Sequence, residues 1–147
     1  MSYIDLQHFL PYRMYHLSEA IVVAFRKLYG PQYNLTIAEW RVLSTVGQYE
    51  GITATTICAH SSMHKTKVSR AVRVLEDRKW LRREANESDY REELLYLTRQ
   101  GRMTYDKIVP LGIALENDLL KILGKDAAVF MTCVKKLEDA LTTSRPR

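Results

Sequence analysis

Residues 63–81 read MHKTKVSRAVRVLEDRKWL, with six Lys or Arg against two acids. Val68, Ala71, Val72 and Leu75 recur at the 3.6-residue spacing of a helix, so one face of this run turns inward and the other is strongly basic. The inner face requires a core beneath it. The outer face requires either an anionic partner or bulk solvent.

The flanking sequence supplies the core. Upstream, Thr53 is placed to cap a short helix through Ile57, Cys58 and Ala59, and the polar turn His60-Ser61-Ser62 joins that helix to the basic one. Two short helices linked in this way, the second carrying the basic face, form a helix-turn-helix pattern. Earlier still, Thr36-Ile37-Ala38-Glu39 fits a capping box and predicts a helix to about Tyr49 that buries Trp40, Leu43 and Val46 and breaks at Glu50-Gly51. Downstream, Leu81–Glu84 and Glu93–Leu97 are strand-like and flank the polar run Ala85–Arg91, the pattern of a hairpin with an exposed tip.

Longer helices lie outside this centre. Leu10, Met14, Leu17, Ile21, Ala24 and Leu28 alternate by four and three, an a/d seam whose helix is expected to end at the breaker pair Gly30-Pro31. Thr98 is placed to cap a helix over Arg99–Leu123, apolar along Ile108, Leu115, Leu119 and Ile122 and bent at Pro110; beyond Gly124 a last helix presents Phe130, Cys133, Leu137 and Leu141. These helices carry more apolar surface than a small core covers, which points to a second copy of the chain. The expected class is mostly α with a small β-hairpin wing. It forms a single domain over 1–147, with a winged helix-turn-helix region at 36–100 and dimerisation helices at 5–30 and 101–143.

Composition narrows the function. A chain of 147 residues, 46% hydrophobic, has room for one domain with a core. It contains no run of apolar residues long enough to span a membrane and no signal-peptide pattern, so a cytoplasmic protein is expected. Cys58 and Cys133 lie far apart among apolar residues and read as buried, reduced core thiols. The four His form no metal-binding pair, and no nucleophile motif or Gly-rich phosphate loop is present. Neither an enzyme nor a cofactor protein is expected. Residues 60–102 hold eleven basic residues against seven acids, whereas the other 104 hold eleven against ten, so the positive charge is local, as on a polyanion-binding surface.

Several runs, in order, resemble the MarR family of bacterial winged-helix transcription regulators. They are Trp40-Arg41-Val42-Leu43, Lys65-Thr66-Lys67-Val68-Ser69-Arg70, Leu75-Glu76, Asp89-Tyr90-Arg91 and Leu97-Thr98-Arg99-Gln100-Gly101. The resemblance implies a homodimeric repressor that binds a palindromic double-stranded DNA operator and, as many relatives do, releases it when a small phenolic or aromatic ligand binds. The chain departs from the family at Lys79, where a Gly suited to the left-handed conformation is usual, and at His64, where an acid is frequent. Neither cysteine lies near the first helix, where peroxide-sensing members carry theirs.

Turning about 100° per residue, the basic helix directs Thr66, Ser69, Arg70 and Arg73 outward, with Lys65 and Lys67 on its flanks. Arg pairs with a guanine edge and the Thr methyl meets thymine, while Lys and Ser more often hold phosphate. Arg70 and Thr66 are therefore assigned to bases, and Lys65, Lys67 and Ser69 to positioning. Arg73 serves either DNA or an i,i+4 salt bridge to Asp77. Arg91 at the hairpin tip suits a minor groove, and the family's wing pattern implies that Asp89 orients an arginine. A ligand crevice, again as the family implies, would draw on Tyr12, Arg13, His16 and Trp40. The alternative function is a winged-helix module that docks its basic face on an acidic protein.

Overall fold

The computed structural model describes residues 1–142, as α1 (Leu10–Tyr33), α2 (Ile37–Tyr49), α3 (Ala54–Ser61), α4 (Lys65–Asp77), β1 (Leu81–Ala85), β2 (Glu93–Leu97), α5 (Arg99–Leu123), a 3-10 turn (Gly124–Asp126) and α6 (Ala127–Thr142). Contacts cluster into one unit over 1–111 and a second from Gly112 onward. Among the described residues, every buried apolar side chain belongs to the first unit, and α2, α4 and the hairpin contribute most of them.

Local chemistry sets the starts of α2 and α3. The Thr36 hydroxyl accepts the Glu39 N–H at 3.2 Å while the Glu39 carboxylate accepts the Thr36 N–H at 3.0 Å, the full capping box. Thr53 likewise accepts the Thr56 N–H at 3.1 Å. Gly51 supplies the positive φ of +76° that turns the chain between these helices. Val42, Leu43 and Val46 are fully buried, but Trp40, expected in the core, is only partly so. Its ring stands at the centre of an aromatic group, 5.6 Å from Phe25, 5.5 Å from Tyr29 and stacked at 6.1 Å on Tyr105.

The first helix does not stop at Gly30-Pro31. It continues to Tyr33 and ends at Asn34, which takes the left-handed conformation with φ 50°. Pro31 removes one donor, yet Tyr29 and Leu35 on either side are drawn fully into the core, and the last carbonyls are held from outside the helix. Burial and external hydrogen bonds outweigh the breaker.

The hairpin pairs Leu81 with Leu97 through to Ala85 with Glu93. Ile52 adds a single bridge to Leu95, whose N–H donates to the Ile52 carbonyl at 2.9 Å, a third edge with no periodic signal in the sequence. Thr98 donates its hydroxyl to the Lys79 carbonyl at 2.6 Å and accepts the Gly101 N–H at 3.0 Å, so one side chain both caps α5 and ties it to the exit of α4. α6 has no buried residue; Cys133 is exposed and Cys58 half-buried, which corrects the expectation that both thiols are core. Among the described residues, no helix is long and apolar enough to cross a membrane.

Candidate nucleic-acid interface

α4 is divided as its periodicity requires. Val68, Ala71, Val72 and Leu75 are buried, and Lys65, Thr66, Lys67, Ser69, Arg70 and Arg73 are all exposed. Lys67 and Arg70 line a shallow hollow with Thr36, Ala38 and Glu39, beside the first turn of α2. His64 is the N-cap and makes no side-chain capping bond, leaving the positive end of the helix dipole without an acid.

The basic residues of 60–102 separate into two groups that composition alone cannot distinguish. Arg78, Arg82, Arg83 and Arg102 are engaged within the fold. Arg83 bonds Glu76 on α4 at 2.5 and 3.1 Å and Glu93 on β2 at 3.0 Å, and these carboxylates raise its pKa above the ordinary guanidinium value. Arg82 pairs with Glu84 and lies 4.6 Å over the Tyr96 ring; Arg102 pairs with Glu50 and the Gly47 carbonyl. Lys65, Lys67, Arg70, Arg73, Lys79, Arg91 and Arg99 have no side-chain hydrogen bond or ion pair among the described residues. Four of these seven lie on α4, so the cations not used by the fold concentrate on one helix face. No ion pair joins Arg73 to Asp77.

At the wing tip, the Asp89 carboxylate accepts the backbone N–H of Arg91 at 3.0 Å, and Asn86 similarly accepts the Ser88 N–H at 3.0 Å. Asp89 therefore shapes the turn through the backbone of Arg91. Arg91 and Tyr90 line a cleft with Thr53, Ala54 and Thr55 at the start of α3, so the wing and the helix-turn-helix share one surface.

The helix exit keeps the left-handed geometry despite Lys79, which has φ 62°. The Trp80 N–H donates to the Leu75 carbonyl and the Lys79 N–H to the Glu76 carbonyl, both at 2.9 Å, the paired bonds of a Schellman cap. At Gly101, an added Cβ would stand 2.1 Å from the Trp80 carbonyl oxygen. The Leu-Thr-x-x-Gly run is thus a packing signature, because it lets the first turn of α5 sit against the backbone that leaves α4.

The four ligand-crevice residues do not form one box within the chain. The rings of Tyr12 and His16 lie 4.3 Å apart and, with Arg13, are exposed on α1. Trp40 meets α1 at Phe25, nine positions later, about 14 Å along a helix axis. No group of three His, Cys, Asp or Glu able to hold a metal occurs among the described residues.

A family model described as MarR family matches residues 33–92, from the end of α1 to the wing tip. The transcriptional regulator HosA of Escherichia coli O111:H- is 23% identical over 108 residues, 73% of this chain and 80% of its own length. Among solved structures, Streptococcus pneumoniae FabT in complex with DNA is similar with a TM-score of 0.76 and 19% identity, over 96% of this chain and 100% of that one. NadR in complex with 4-hydroxyphenylacetate is similar with a TM-score of 0.80 and 19% identity, over 99% and 100%. At such identities the structural likeness establishes the fold, a winged helix with helical flanks.

Proposed function

We propose that this chain is a transcriptional regulator of the MarR family, whose model matches residues 33–92, and that it acts as a homodimeric repressor that grips a palindromic DNA duplex through α4 and leaves it when a small aromatic or phenolic ligand binds. The observation that carries this reading is the set of free cations. Lys65, Lys67, Arg70 and Arg73 stand exposed on a helix whose opposite face is locked into the core, while the neighbouring arginines are already paired. An α-helix fits the major groove, where arginine recognises guanine edges and lysine holds the phosphates alongside.

In this reading Arg70 and Thr66 contact bases, Lys65, Lys67 and Ser69 fix the register, and Arg73 faces the duplex. Arg91 follows the minor groove, with Asp89 holding its backbone in the turn. The second copy covers the apolar faces that α1, α5 and α6 leave exposed, among them Leu10, Leu17 and Leu28 on α1 and Ile122, Val129 and Leu141 on the last two helices. Tyr12 and His16, whose rings lie tilted 4.3 Å apart, offer an aromatic acid a ring surface, and the neighbouring Arg13 offers a cation. Trp40 is assigned to packing.

Selection from a random duplex pool tests the reading. The wild-type dimer should enrich a palindrome with half-sites about one helical turn apart, roughly 10 to 10.5 bp centre to centre, and 4-hydroxyphenylacetate or a related phenolic acid should release it. Enrichment of no sequence over the starting pool would refute specific recognition. Failure of every aromatic acid in such a panel to release the duplex would refute the ligand assignment alone.

A further inference from the structure

One long-range tie among the described residues lies outside the basic face. Arg78 is the C-cap of α4, and its guanidinium reaches across to the end of α1, donating from Nη2 to the Tyr33 carbonyl at 2.5 Å and from Nη1 to the Asn34 carbonyl at 3.0 Å. The same guanidinium lies 3.7 Å over the centroid of the Trp80 ring. α1 has no basic residue in its own last turn and contains Pro31 there, and Arg78 supplies its terminal carbonyls with a cation from another helix. Trp80 is itself a junction. Its N–H closes the α4 cap on Leu75, its carbonyl accepts the Thr98 N–H at 3.0 Å, and that carbonyl is what Gly101 must approach closely.

We propose that Arg78 is a positioning residue that fixes the recognition helix relative to the dimer arm on α1, and so sets the half-site spacing the dimer accepts. This inference rests on the DNA-binding reading and adds to it. A planar fork stacked on an indole and bonded to two consecutive carbonyls tolerates little displacement, because a shift of about an ångström loses the geometry of both bonds. When the end of α1 moves, Arg78 carries the exit of α4 with it. Arg78 is half-buried and points away from the exposed face of α4, so it need not touch the duplex to act.

The test uses the full-length protein and the duplex that wild type selects from a random pool, together with versions whose spacer is one base pair longer or shorter. Wild type, Arg78→Gln and Arg78→Lys are compared well below their melting temperatures, on the full operator and on a single half-site. In Arg78→Gln the preference for the native spacer should fall by about tenfold, the factor expected from one charge-assisted hydrogen bond, with half-site base preference unchanged. Arg78→Lys, which keeps the charge but not the fork or the stack, should fall between the two. A variant that melts earlier yet keeps the wild-type spacing profile would overturn the proposal, since a purely structural role lowers stability without altering spacing. Equal loss at all spacers would overturn it as well. If wild type selects no duplex, the DNA-binding reading fails and this inference fails with it, an outcome distinct from an unchanged spacing profile.

Discussion

Lys79 and Gly101 stand on either side of one packed junction and make opposite predictions. Lys79 holds a left-handed conformation that costs an L-residue about 1 to 2 kcal/mol, whereas glycine takes it freely but loses more entropy on folding. Lys79→Gly should therefore stabilise the fold by about 0.5 to 1 kcal/mol, read from denaturant midpoints; a destabilised variant would mean that the lysine side chain contributes something its open surroundings do not show. Gly101→Ala should cost roughly 3 kcal/mol or more, because the new Cβ meets backbone that cannot rotate away. Tyr29 gives the third residue-level test. Burial pushes its phenol up to about 12 from an ordinary 10.0. The folded state then holds the proton more tightly than the unfolded chain, so this contribution to stability is complete below pH 10.0 and is lost as pH rises through about 12. Tyr29→Phe should flatten that alkaline decline relative to wild type, and parallel curves for the two proteins would contradict it.

Among the elements, α4 was fully legible because its pattern is local. The apolar spacing and the Thr36 and Thr53 caps are all decided within a few residues of sequence. The end of α1 was not legible. Gly30-Pro31 is a local stop signal, and it is overruled by Arg78, whose bonds reach back more than forty positions. The Ile52 bridge and the pairing of Arg83 with Glu76 and Glu93 were hidden for the same reason, being set by how a strand crosses a helix. Charge counting located the basic region but could not tell a free arginine from one already paired. That division makes the element-level prediction sharper. Arg70→Ala should cost about 1 to 3 kcal/mol in operator affinity and relax preference at one base pair per half-site, while Lys67→Ala should weaken all duplexes alike and lower the salt slope by about one unit. Arg91→Ala should instead reduce discrimination in favour of A·T-rich flanks. Identical profiles for the three variants would dissolve the distinction between reading and positioning.

For the whole molecule, the exposed apolar side chains of α1, α5 and α6 are what a second copy would cover. Sedimentation at low micromolar concentration should show dimer without monomer. A stable, folded monomer there would remove the basis for a palindromic site. The central claim, that the free cations of α4 grip a duplex, is tested most directly by the salt dependence of wild-type binding to its selected operator and to a scrambled duplex. A dimer neutralising about six to ten phosphates should give a linear fall of log affinity with log salt of slope roughly −5 to −9 on the operator, with the operator held at least about a thousandfold more tightly than the scrambled duplex. A slope near zero, or equal affinity for the two duplexes at every salt concentration, would contradict the account.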